Sequence, residues 1–504
     1  MTESMNPDTV AAEVSSFMEG NLAGWIREAD AVAFFQERCS FMDVCIALSQ
    51  LKEEKQLNKM LDFLESIARF ELVGSHLSDP SAQAFVAAAV QSPSERLRGV
   101  IATALGSVKR SSFPFEVNDE TLFSLLCDED TGISVRISKL LLDWLQSTIK
   151  DPAEKFQFAS KIAGIYKARS NRLNETQEFR FISLFIEISR LDPNIFNHFK
   201  NEGLFDPIVT RFLSTDTDLL VKLGSLSLIE PLGQFEQGQR YLADANVLGA
   251  LEKELSGPLA DSATLISVLL TMSSIVPYVS SLEQVRCILV YPQAKVPLLI
   301  SQFIVSANNA ERMSAMKALA LISHASGKSE PVDNYLRSSW RPLKEIVFAL
   351  SDVDVEVINT ALDSLRELVK NWDRNPFMES VESQLSVIRE IQNTFKRHPF
   401  PACRCLVYSL LSAIVRYTNI SELGLSEILN EPSPIRAALL DYQSESDYDS
   451  RMAKCDLVRV LVNAELTKKF FKPDQIENFI EFAKRGIEWV PVSRAKDEMA
   501  TDAL

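Results

Sequence analysis

Glycine is scarce: 16 residues in 504, about half the usual share of roughly 7%. Phosphate-cradling loops, tight hairpins and nucleophile elbows all need glycine for positive φ or close backbone approach, so the count weighs against nucleotide and hydrolase chemistry. Histidine is scarcer still, and His76, His198, His324 and His398 never fall at metal-ligand spacing. The seven cysteines are odd in number and scattered, which excludes a disulfide framework and fits reduced thiols in a cytosolic or nuclear setting. Cations are the minority charge, 52 against 68 acids for a net of −16. That balance opposes phosphate backbones and anionic membranes, so neither nucleic acid nor membrane is an expected partner. Met1 to Gly20 holds no Lys or Arg, unlike the positive start of a secretory signal. The uncharged run Ser262–Leu282 is Ser-rich and contains Pro277, which suits a buried helix rather than a membrane span.

Apolar residues, 46% of the chain against 24% charged, supply ample area for a core. They are distributed periodically. Polar turns begin near Gln91, Cys127, Leu173, Ser214, Leu259, Ala307, Ser351, His398 and Gln443, each followed by an apolar helical run. A step of about 40–47 residues is that of HEAT or armadillo repeats, each of two or three helices. The clearest unit runs from Trp340 to Lys370. Pro342 opens a first helix, Ser351–Asp354 form a turn able to cap the next, and Val357, Ala361, Leu365 and Leu368 share one face of a second helix. A helix pair cannot cover its own apolar stripe, so stacking is required. The fold expected is all-α, a HEAT/armadillo-like α-solenoid or superhelix of about eleven helical repeats. Residues 1–21 form a frayed or capping segment, 22–485 one continuous array ending in a helix at 474–485, and 486–504 an extended tail that Gly486 and Pro491 turn away from the last helix.

An apolar residue is followed by a cation near the start of several second helices: Leu97-Arg98, Val135-Arg136, Phe179-Arg180, Val221-Lys222, Cys403-Arg404 and Ala453-Lys454. A basic nucleic-acid groove is one reading. A ladder, each cation paired with a turn acid of a neighbouring repeat such as Asp128, Asp130, Asp216 or Asp218, fits the negative charge better. The acids at Asp441–Asp449 read as an exposed loop.

Catalytic, cofactor-binding and metal-binding residues are not expected. Gly327-Lys328-Ser329 lacks the earlier glycine of a phosphate loop, Ile322 standing there. Cys403 and Cys405 point apart on a helix. The Trp–Asn ladder of nuclear import adaptors is missing, since Ala29, Thr148, Lys344, Pro376 and Ser493 follow the five tryptophans by four.

Asn174–Leu255 resembles the central repeats of the 26S proteasome non-ATPase regulatory subunit 5 family, through Phe179–Arg190 and Gly238-Gln239-Arg240-Tyr241-Leu242-Ala243. Pro399-Phe400-Pro401, Ala453–Val458, Gly486 and Val490-Pro491-Val492-Ser493 are similar in order, with nearly identical total length. The resemblance implies a cytoplasmic assembly chaperone, with the nucleus also compatible. Such a protein holds the C-terminal domain of a base ATPase, regulatory subunit 7, in a module with a neighbouring base ATPase and the large non-ATPase scaffold subunit, and delays docking to the core particle. A general HEAT-repeat scaffold or adaptor is the alternative. The chain by itself is expected to be a monomer. Lys317, Asn359, Asp363, Arg366 and Arg404, on mixed-charge second-helix faces, are the expected partner-binding residues of a concave surface.

Overall fold

The computed structural model describes residues 5–20, 26–77, 82–107, 119–147, 149–214, 216–255, 261–372, 379–464 and 468–489. The expected turn at Leu259 and the tail from 490 onward lie outside these. Among the described residues there are 29 α-helices and no strand, and the chain divides into two compact units, 1–228 and 229–504.

Within each unit the helices form two layers, because each carries one apolar stripe that only a neighbour can cover. In residues 1–228 the second helices Glu54–Ile67, Glu95–Ser107, Thr131–Ser147 and Glu175–Ser189 pack in succession, with shorter first helices laid against them. Pro7–Gly20 is itself helical; it buries Val10, Ala11 and Val14 and packs on Phe41–Gln50 and Glu54–Ile67. In residues 229–504 the successive second helices are Ser262–Ile275, Asn309–Ser323, Val355–Asn371, Pro401–Tyr417 and Tyr448–Asn463, closed by Pro473–Arg485. The expected turns at 91, 127, 173, 214, 307, 351, 398 and 443 all fall between α-helices, Ser351 as the last residue of the 3₁₀ turn Ala349–Ser351. This is the HEAT/armadillo-like all-α fold.

Short polar residues start these helices. Asp261, Asn308, Asp354 and Asp447 each accept a hydrogen bond from a first-turn backbone N–H, satisfying donors that the helix cannot. Pro401 does the equivalent at its helix by lacking an N–H where none is needed. The Trp340–Phe348 helix begins two residues before Pro342, directly after Ser339. Val357, Ala361, Leu365 and Leu368 are all buried. The uncharged run becomes the Ser262–Ile275 helix and a 3₁₀ turn, Val276–Tyr278, with Val268, Leu269, Met272, Ile275 and Val276 in the core. No helix among the described residues is long and apolar enough to cross a membrane. Gly486 ends the last helix at φ 86°, in the region that favours glycine.

Gly238 marks the closest approach. A Cβ there would sit 1.9 Å from the carbonyl oxygen of Leu232. The next residue, Gln239, donates to the carbonyls of Gly233 (2.9 Å) and Ile275 (3.0 Å), tying two helix ends together. The stretch carrying the family resemblance is thus a backbone clasp. Gly238→Ala is expected to cost about 1–3 kcal/mol through overpacking, read as a lowered urea midpoint; an unchanged midpoint would show that the clasp yields freely.

Candidate partner-binding surface

The cation ladder is real but mixed. Arg98 pairs with the buried Asp128 at 2.7 Å, and Arg404 with the buried Glu445 at 2.7 Å. A pair whose cation lies outside the recurring series joins them: Arg312 reaches Asp352, in the turn Ser351–Asp354, at 2.6 Å. In each case a second-helix cation fastens the turn of the following repeat. Arg136 and Arg180 depart from the expectation. Arg136 reaches Thr103 and the Gly99 carbonyl, and Arg180 the Asp128 carbonyl and the Thr131 hydroxyl. Lys454, buried, reaches the Asp441 carbonyl and Ser444, and Lys222 lies over the Phe212 ring. Carbonyl oxygens of helix ends are as available to these cations as turn carboxylates and already orphaned. The segment 441–449 is likewise no simple exposed loop: Tyr442 and Glu445 are buried within it, because aromatic packing with Phe479 and Phe482 covers Tyr442 and Arg404 neutralises Glu445.

With the apolar faces buried, the second helices of residues 229–504 present a stripe of polar side chains. Lys317 is exposed on Asn309–Ser323 and makes no ion pair among the described residues. On Val355–Asn371, which packs against it, Asp363 and Arg366 are one helical turn apart and paired at 2.7 Å. Asn359 is one turn earlier, its side-chain oxygen buried without a hydrogen bond. The structure therefore brings Lys317, Asn359, Asp363 and Arg366 onto two adjacent helices. Arg404 belongs to the next helix, but its guanidinium is committed to Glu445 and stacked 4.5 Å from the Phe395 ring.

Sequence reasoning missed the hub of this stripe, Glu367. It accepts from Arg366 (3.0 Å) and Asn371 (3.2 Å) and lies 3.3 Å from His324 Nε2 and 3.9 Å from Lys370. Partial burial pushes its carboxyl up, but Arg366, Lys370 and Asn371 together hold it below the ordinary carboxylate range. Arg366, Lys370 and Asn371 are local to its helix, whereas His324 comes from the preceding repeat. Cys405, half-buried on the third helix, has its thiol raised by burial first and then by Asp449, and feels Arg366 as well. It continues the stripe toward Tyr448–Asn463, which adds Asp456 and Arg459, paired at 2.6 Å.

Residues 1–228 carry their own charged stripe. Arg96 bridges Asp62 (2.6 Å) and Glu65 (2.8 Å), and Glu95 is raised by a hydrogen bond with the Asp130 carboxylate. A groove of about 370 Å³ opens there beside Arg69, Gly99 and Arg136. Among the described residues no cluster of His, Cys, Asp and Glu could hold a metal. The buried acids Asp128 and Glu445 are each neutralised by arginine.

Stacked helix pairs displaying long polar stripes define a helical-repeat scaffold, a class that works through surface contact. A family model for the proteasome non-ATPase 26S subunit matches residues 153–496, and the chain belongs to that family. It is 23% identical over 344 residues to the human 26S proteasome non-ATPase regulatory subunit 5, a match spanning 65% of this chain and 65% of the human protein's length. Among solved structures, yeast importin-β is similar at TM-score 0.45 and 12% identity, over 94% of this chain and 58% of that one. A designed armadillo repeat protein is similar at TM-score 0.35 and 15% identity, over 50% of this chain and 98% of that one. The family match makes the chain proteasome-related, and its own packed helix pairs give it the helical-repeat architecture.

Proposed function

We propose that this protein is an assembly chaperone of the proteasome regulatory-particle base. In this reading it binds the C-terminal domain of a base ATPase, regulatory subunit 7, in the cytoplasm. It travels in a module with a neighbouring base ATPase and the large non-ATPase scaffold subunit, and it delays docking to the core particle. No catalytic step is involved. The family match over residues 153–496 carries the proposal, because it contains the whole stripe from Lys317 to Arg459. A surface of both charge signs on rigid helices loses little entropy on binding and favours fast, selective, releasable contacts over a permanent apolar interface.

The test has two parts. The full chain is expected to co-purify with free base subunits and to be missing from particles that contain core protease; stoichiometric presence in finished particles would refute chaperoning. The pair Lys317→Glu with Asp363→Lys, at exposed positions and leaving Arg366 to hold Glu367, is expected to weaken binding of the isolated ATPase domain at least about tenfold, roughly 1.4 kcal/mol. Undiminished affinity at an unchanged melt would remove the stripe from the interface.

A further inference from the structure

Three successive second helices of residues 229–504 carry a large apolar side chain at their starts that the fold leaves outside. Val353 is 94% exposed, Phe400 52% and Tyr448 64%. They lie within two residues of the first positions of Val355–Asn371, Pro401–Tyr417 and Tyr448–Asn463. Hydrogen bonds hold these starts side by side. Arg397 donates to Ser351 Oγ (3.3 Å) and Thr394 to the Leu350 carbonyl (2.9 Å), which sets the approach to Phe400 against the turn of Val353. Ser450 Oγ donates to the Pro401 carbonyl (2.9 Å), which sets Tyr448 beside Phe400. The three side chains therefore form one ridge along the edge of three packed repeats.

Carboxylates bracket the ridge. Asp352 and Asp354 flank Val353, and Asp447 and Asp449 flank Tyr448. Asp352 is neutralised by Arg312, and Asp354 and Asp447 cap their helices. Asp449 and Glu356 are exposed and have no ion pair among the described residues. The cations of this edge are placed elsewhere. Lys396 and Arg397 lie at the Val353 end, Arg397 on Ser351. Arg404 is committed to the buried Glu445, and the half-buried Arg451 to the Glu445 carbonyl (2.8 Å) and to Glu488. The Cys405 thiol, raised first by burial, is raised further by Asp449 and Asp447, so the field of both acids reaches over the helix that Phe400 starts. The ridge thus has two unlike ends: aromatic and acidic at Phe400 and Tyr448, aliphatic and mixed in charge at Val353.

We propose that this ridge binds an extended basic segment of another protein. Lys or Arg side chains of the segment lie over the Tyr448 and Phe400 rings and meet Asp449, and an apolar side chain follows at Val353. An open ring beside a carboxylate recognises a cation by its face and by charge together. Packed helices stand about 8–10 Å apart and an extended chain advances about 3.3 Å per residue, so successive anchors fall about three residues apart. A nucleic acid or an anionic membrane brings charge of the wrong sign to Asp447 and Asp449. A second copy of this chain would set the same carboxylates against each other. The ridge is separate from the stripe proposed for the ATPase domain, so the two readings stand or fall independently.

The experiment titrates the full chain into a fluorescein-labelled Gly-Ser peptide carrying two arginines and then a leucine at three-residue intervals, read by fluorescence polarisation. It is expected to bind more tightly than a permuted peptide with adjacent arginines and than one with Glu for Arg, and to weaken as salt rises. Phe400→Ser with Tyr448→Ser keeps the net charge, so it separates the ridge from the general attraction of an acidic protein for a basic peptide. That variant is expected to weaken binding at least about fivefold. The melt is expected to hold, since both side chains are exposed and Ser is a good helix cap at position 400. Asp449→Asn is expected to weaken binding less and to flatten its salt dependence, and it decides the matter if the double serine variant melts early. Lys317→Glu with Asp363→Lys is expected to leave binding intact. No binding, equal binding of the permuted peptide, or undiminished binding by the serine and asparagine variants overturns the proposal. So does self-association of the chain abolished by Phe400→Ser with Tyr448→Ser, which would make a second copy the occupant.

Discussion

Leu365→Asp is expected to abolish the cooperative melt of residues 229–504. Leu365 is 1% exposed, on a helix whose inner face also holds Val357, Ile358, Ala361, Leu362, Leu368 and Val369. That helix packs between Asn309–Ser323 on one side and Pro401–Tyr417 on the other. Truncation to alanine alone costs about 2–5 kcal/mol in such a site. A carboxylate adds its own desolvation, with only aliphatic neighbours on its helix face to receive it. The total exceeds about 4 kcal/mol, a large part of a typical domain's stability. Circular dichroism in urea checks this, with Leu365→Ala as the graded control. A melt like that of the parent would mean that the helix faces the other way.

Arg404→Ala is expected to be the next most damaging substitution, at about 3–5 kcal/mol. It removes the cation from Glu445, whose side chain is only 4% exposed, while Tyr408 (2.7 Å) and Ser444 (3.2 Å) still donate to it. Burial and then the neighbouring Glu445 carboxylate also push the Tyr408 hydroxyl upward. The lone carboxylate costs more than the pair contributed, so Arg404→Met with Glu445→Gln is expected to recover much of the loss. Midpoints of the two variants decide it: if Arg404→Ala melts like the parent, Glu445 has found another partner or water. Arg404 was also an expected contact residue. Its variant is expected to lose partner binding only where the fold is already loosened, whereas Lys317→Glu with Asp363→Lys acts at full stability.

A related substitution changes in meaning. Asp363→Lys with Arg366→Glu reverses an exposed pair, which sequence spacing alone makes harmless. Arg366 also holds Glu367 at 3.0 Å, so the second change sets two carboxylates side by side and lowers the melt modestly. Retaining Arg366 avoids this.

Periodicity reports which face of a helix is buried, and on that point residues, turns and caps were legible. Leu365, the Asp354 cap and the interior run from Ser262 are examples. The destination of a long side chain is decided by a residue roughly forty positions away, for which one sequence holds no local signal. Arg98–Asp128 could be anticipated because the acid sat in a recognised turn and the cation in the recurring apolar–cation series, whereas Arg312 follows Glu311. Arg312–Asp352, the Glu367 hub with His324, and the burial of Glu445 in a stretch of acids could not. Trp340 and Phe348 were equally opaque: an apolar residue at helical spacing reads as core, and only packing shows that these two face outward.

Arg98, Arg312 and Arg404 each reach one repeat forward and no further. These links, like the apolar contacts between successive second helices, join neighbours, so within a unit strain is passed from one repeat to the next. Within each unit a small adjustment can therefore be shared among many junctions, each giving slightly.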